Sequence, residues 1–225
     1  MPKFLLIRAA ATEWEEEDRI RGDFDIPLSA GGRSELTDRL KEIGHYNFRH
    51  CFAGTDQPAD ETAQEVATAA GCKLRHLPGL RAVHLGTWQG LLRSDVKRKH
   101  RRVWSQWVED PQRVRPAGGE SLHAVERRVD TALREIERRH KPDEVVALIC
   151  SPLVGAVVQC IVESVTLTRS LEIMEAAPMV QILGEQPGGT PGRTPEWTPA
   201  PAAPTTTAPR TSTPAPPLGQ NGGTS

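Results

Sequence analysis

Two apolar runs in this chain end on groups that can do chemistry. Lys3-Phe4-Leu5-Leu6-Ile7 runs into Arg8, a permanent cation whose forked donors suit an oxyanion. Val145 to Ile149 runs into Cys150-Ser151, a thiol followed by a hydroxyl. A thiol beside a cation could serve as a nucleophile, because the reactive form is the thiolate and a neighbouring positive charge stabilises it. A cysteine closing an apolar strand is more often a packed core group, and Cys150 is read that way. Cys51, Cys72 and Cys160 show none of the short spacings of a zinc or redox motif. The four cysteines therefore read as small buried residues in a reducing compartment.

Charge adds little chemistry. The chain has 28 basic and 29 acidic residues, a formal net charge of -1, so nothing in the bulk balance calls for nucleic acid or an anionic membrane. The basic run Lys97-Arg98-Lys99-His100-Arg101-Arg102 is read as a solvated helix face. The apolar part of the first eight residues is too short for a signal-peptide core, and the expected location is cytoplasmic. Val145 to Val162 approaches the length of a membrane span, but Ser151-Pro152 interrupts it; a buried strand, a turn and a buried helix account for it better.

The elements that must position these groups alternate. Short apolar strands are expected at Lys3 to Ile7, Phe48 to Ala53, Leu74 to Leu77, Val145 to Ile149 and Met179 to Leu183. Between them, helices are expected at Ser29 to Ile43, with Leu36, Leu40 and Ile43 on one face, and at Glu61 to Ala70, closed by Gly71. A third is expected at Ser121 to His140, with Val125, Val129, Leu133 and Ile136 at helical spacing. Leu91 to Gly119 is a long insertion carrying Trp104 and Trp107. Alternation of this kind predicts a three-layer α/β/α sandwich with a mostly parallel sheet, and such sheets build sites at the carboxyl ends of their strands. Arg8 and Cys150-Ser151 fall there. Beyond Gly184 the composition shifts: ten of the 19 prolines lie in residues 185–225, amid Thr, Ala and Gly. That segment buries too little apolar surface to offset its ordering entropy. The expected organisation is one domain over residues 1–184 and a disordered tail over residues 185–225, with Trp197 its one aromatic group.

Four segments, in order, resemble the histidine phosphatase superfamily, of the phosphoglycerate-mutase-like kind. Leu6-Ile7-Arg8-Ala9-Ala10-Ala11-Thr12-Glu13-Trp14-Glu15 resembles the family opening Leu-Ile-Arg-His-Gly-Glu-Thr-x-Trp-Asn. Arg19-Ile20-Arg21-Gly22-Asp23-Phe24-Asp25-Ile26-Pro27-Leu28-Ser29 with Gly32 resembles the Arg-Ile-Gln-Gly segment that follows it. Leu80-Arg81 through Gly86-Thr87-Trp88-Gln89-Gly90 resembles Leu-Arg-Glu-x-x-x-Gly-x-Trp-Glu-Gly. Pro116-Ala117-Gly118-Gly119-Glu120-Ser121 resembles the Pro-x-Gly-Gly-Glu-Ser that opens the next helix.

The resemblance implies a covalent mechanism. A histidine attacks the phosphoryl group, two arginines and a second histidine neutralise it, and a glutamate protonates the leaving oxygen. Carried onto this sequence, the first arginine is Arg8. The nucleophile falls on Ala9, the second arginine on Pro58, the general acid on Ala82 and the second histidine on Ser151; the pocket asparagine falls on Glu15. Methyl and pyrrolidine groups neither attack phosphorus nor donate to its oxygens. The expectation is a degenerate member, a pseudoenzyme with no intact catalytic set. Its phosphate-pocket remnant would be Arg8, Thr12, Glu15 and Arg21, with Arg81 near the rim and His84 read as a surface or packing histidine. The expected function is binding of a phosphorylated small molecule or a protein partner, without cofactor or metal and with no nucleic acid or membrane. The competing expectation is weak phosphatase or mutase activity through other residues.

Overall fold

The computed structural model describes residues 1–184; the expected tail lies outside the described residues. Five strands form one sheet in the order β3-β2-β4-β1-β5. They are β1 (Lys3–Arg8), β2 (His50–Ala53), β3 (Lys73–His76), β4 (Val145–Cys150) and β5 (Val180–Leu183). Three pairings place β1 beside β4, β4 beside β2 and β2 beside β3, all parallel, with β5 antiparallel on β1. The helices are α1 (Glu13–Glu16), α2 (Ala30–Ile43), α3 (Gln57–Ala70), α4 (Arg93–Lys99), α5 (Arg101–Glu109), α6 (Leu122–Glu137), α7 (Pro152–Val162) and α8 (Ser170–Ala176).

The period-two alternation of a strand splits the core into two layers. Phe4, Leu6, Phe52, Val146, Leu148 and Cys150 pack with Val125, Val129, Leu133 and Ile136 of α6 and with Val154, Val157 and Val158 of α7. Leu5, Ile7, Cys51, Ala53, Ala147 and Ile149 face the other way, onto Leu36 and Ile43 of α2 and Ala63 and Val66 of α3. The architecture is the expected three-layer sandwich. Because β1 and β4 are covered on both faces, they read as continuous apolar runs.

Several details depart from expectation. Helix α3 starts at Gln57, four residues before Glu61, with Asp56 as N-cap and Pro58 in its first turn. Proline is tolerated there because its missing N–H would have had no intrahelical partner. Helix α6 ends at Glu137, so His140 lies in the turn before β4. The insertion folds as α4 and α5, with Val96 and Trp107 buried and Lys97 through Arg102 exposed. Short α1 and α8 have no clear signal in the sequence, since neither presents a long apolar face.

Candidate functional site

Arg8 is the last residue of β1 and sits in register with Cys150 of β4. The strand period turns it to the face of Leu6, over the start of α7. Ala9 follows, buried, its amide donating to the Cys150 carbonyl at 2.9 Å. The loop is then held by side chains from other elements. The Ala10 amide donates to Thr62 Oγ1 of α3 at 3.0 Å, and the Ala11 carbonyl accepts from the Ser29 amide at 3.0 Å. Gly32 in the first turn of α2 is required here: a Cβ would stand 2.2 Å from the Ala11 carbonyl oxygen.

Around Arg8 opens a cleft of about 310 Å3. Its polar side is Arg8, Glu15, Arg19, Arg21, Arg93, Ser151 and Glu175; its apolar side includes Trp88, Trp104, Trp107, Leu171 and Met174. Trp88 meets Trp107 edge-on at 5.6 Å between centroids and Trp104 tilted at 6.0 Å, so the wall comes from the insertion that sequence left without a role.

The residues singled out from sequence divide. Arg8, Glu15, Arg21 and Ser151 line the cleft; Thr12 does not. Thr12 is fully buried, and both its amide and its hydroxyl donate to Glu15 Oε2, at 2.9 and 3.0 Å. The other oxygen of Glu15 accepts from Arg21 Nε at 3.3 Å. Arg21, 4% exposed, also donates from Nη1 to Asp56 Oδ2 at 3.4 Å and to the Phe24 carbonyl at 3.3 Å. Asp56 is fully buried; its Oδ1 accepts from the Ala82 amide at 2.9 Å. Arg21 is therefore not an open anion donor, as expected from sequence, but the centre of an internal ion-pair chain. Asp56 was not anticipated: a buried carboxylate needs its partners in space, and they come from residues 21 and 82.

Pro58 and Ala82 are buried. Ala82 is fixed by Asp56 on one side and by Arg128 on the other, whose Nη2 donates to its carbonyl at 3.3 Å. Arg128 also forms a bidentate pair with Glu120 and donates to the carbonyls of Gly79 and Arg81 at 2.8 and 2.7 Å. A planar fork with five donors suits such a clamp. Ser151 caps α7, and its hydroxyl makes no hydrogen bond to a described residue. Arg81 and His84 do not line the cleft. Both meet Asp23: His84 Nδ1 lies 2.8 Å from Oδ1, and Arg81 Nε lies 3.6 Å from Oδ2. Burial pushes the Asp23 carboxyl up, but the hydrogen bond and charge of His84 outweigh it and hold the group below its ordinary value. Cys150 is fully buried, and burial, reinforced by the Asp56 charge, drives its thiol far above the usual range. It is a core group, as read from sequence.

The sequence model of the histidine phosphatase superfamily (branch 1) matches residues 4–181, and the chain belongs to that superfamily. Phosphoserine phosphatase 1 of Hydrogenobacter thermophilus is 30% identical over 66% of this chain and 70% of its own length. The phosphoglycerate mutase-like protein 4 of Arabidopsis thaliana is 30% identical over 65% of each. A probable phosphoglycerate mutase of Serratia proteamaculans is matched over 62% of its length, so this chain spans a little under two thirds of the mutase relatives. Among solved structures, Bacillus stearothermophilus YhfR superposes with a TM-score of 0.72 at 23% identity, covering 84% of this chain and 93% of that one. That likeness concerns the fold. No helix of the described residues is long and apolar enough to cross a membrane.

Proposed function

We propose that this chain is a superfamily member that does not run the phosphohistidine reaction and instead uses the cleft at Arg8 to bind a phosphorylated ligand. The carrying observation is charge pairing. Four arginines line the cleft, and three have carboxylate partners: Arg19 with Glu17, Arg21 with Glu15 and Asp56, and Arg93 with Asp18. Arg8 has none among the described residues. One unpaired cation can orient a phosphate but cannot spread the charge of a phosphoryl group in flight, which needs several fixed donors at once. The methyl groups of Ala9 and Ala82 add neither nucleophile nor acid. The tryptophan wall favours a ligand whose phosphate is joined to an apolar or aromatic body. A cytoplasmic setting belongs to this reading, supported by four cysteines that carry free thiols.

Assay of the full chain with an aryl phosphate, with chelator present, tests the proposal. No turnover above background is expected for the protein or for Ala9→His, because groups that act as a unit are not restored singly. Metal-independent turnover abolished by Arg8→Ala overturns it, and favours the second reading, weak phosphomonoester hydrolysis, to which the printed activities of the relatives lend support.

A further inference from the structure

At the opposite end of the sheet, three metal-ligating side chains meet. His50 opens β2, and the strand period turns it to the face of Phe52, where α6 packs. His140 lies in the turn after α6, packed edge-on against the Phe52 ring at 5.7 Å and against the His50 ring at 4.8 Å between centroids. Glu144, just before β4, completes the group. One ligand atom from each residue lies within 4.8 Å of the other two. His140 Nδ1 is 2.9 Å from Glu144 Oε1, and His50 Nδ1 is 3.4 Å from the same oxygen. In a tetrahedral zinc site with bonds near 2.0–2.1 Å, ligand atoms stand about 3.4 Å apart, so little motion is needed.

A second observation points the same way. His50 Nδ1 is buried from solvent and makes no hydrogen bond; its approach to Glu144 has the distance of an ion pair without hydrogen-bond geometry. A buried ring nitrogen without a partner costs free energy, and an ion bound there resolves it. The carboxylate is aimed by its neighbours: Glu144 Oε2 accepts from the Lys141 amide at 3.1 Å. The nearest arginines do not occupy it, since Arg75 and Arg139 both pair with Glu135.

The geometry points to a divalent metal site of the zinc type formed by His50, His140 and Glu144, with water as the fourth ligand. Two imidazoles and one carboxylate are a borderline-soft donor set that suits zinc over magnesium or calcium. The site is remote from the Arg8 cleft and ties the end of α6 to the amino edge of β2 and β4, so its role is structural. Zinc competes with protons for its ligands, so binding weakens as the pH falls.

The test uses the full chain without a histidine tag. Zinc affinity is read by competition with a chromophoric chelator, and the site is reported by cobalt(II) visible absorption. One zinc per chain is expected, with a cobalt spectrum of tetrahedral intensity and no thiolate charge-transfer band. His50→Gln and Glu144→Gln should each weaken binding by roughly tenfold or more, and zinc should raise the melting temperature of the parent but not of these variants. His50 and Glu144 are each about a third exposed, so both variants are expected to fold, which circular dichroism checks. Absence of binding at micromolar zinc overturns the inference. So does binding that survives both substitutions, or that carries a thiolate band and is lost in Cys72→Ser.

Discussion

A single carboxylate, Asp56, decides what the cleft can do. It and Glu15 pair with Arg21, which leaves Arg8 as the cleft arginine without a carboxylate partner among the described residues. Removing one partner of a buried pair leaves an uncompensated charge, so Asp56→Ala is expected to destabilise the fold by about 3 kcal/mol, measurable by urea denaturation. Glu15 is partly solvated, and its weight is smaller. Glu15→Gln keeps an acceptor for the Thr12 amide while removing a charge beside the cleft. It is expected to tighten inorganic phosphate about fivefold from a roughly millimolar start, which is about 1 kcal/mol. Arg8→Ala should abolish that binding. Calorimetric titration of the three proteins checks both; if neither variant differs from the parent, the cleft is not an anion site.

At the scale of elements, α2 is the support for the loop that carries Ala9 to Thr12. Ser29 caps it by accepting from the Gly32 amide at 2.8 Å, and its one hydroxyl proton has both the Ala11 carbonyl and the Glu16 carboxylate within reach as acceptors. Ser29→Ala should cost about 1 kcal/mol, the usual value of an N-cap. Gly32→Ala drives a methyl into the Ala11 carbonyl and should cost about 1–3 kcal/mol, as overpacking does. Its diagnostic effect is on the loop: phosphate affinity should fall in Gly32→Ala and hold in Ser29→Ala at temperatures where both are folded.

Across the whole molecule, carboxylates near histidines set the acid limit. Asp23 is held below its ordinary value of 3.8, with His84 outweighing burial. Glu144 is held below its ordinary 4.5, first by the hydrogen bond from His140. A depressed carboxyl binds its proton less readily folded than unfolded, so its stabilisation is complete above the unfolded value and lost as pH falls through the folded one. Both groups are partly exposed, so each is worth less than about 1 kcal/mol. The melting temperature should hold from pH 7 to about pH 5 and decline below pH 4.5. Asp23→Asn should melt lower than the parent at pH 7 and converge with it near pH 3, as scanning calorimetry would read.

Much of this was written in the sequence. β1 and β4 are legible because strands buried on both faces are apolar throughout, and α6 because its apolar residues recur at helical spacing. The identities at residues 8, 9, 58, 82 and 151 are also sequence facts, and they bound the chemistry before any fold is known. The tertiary structure decided partners. β5 runs antiparallel because its partner on β1 is chosen in space. Thr12 and Arg21 turn inward because Glu15 and Asp56 offer them acceptors. The tryptophans of the insertion become a cleft wall, and His50 meets His140 and Glu144 across the sheet edge. Local propensity and periodicity act over a few residues and leave a pattern in the chain; a buried charge or an unpaired ring nitrogen is answered by whichever distant residue the fold brings within about 3 Å, and no spacing rule encodes that meeting.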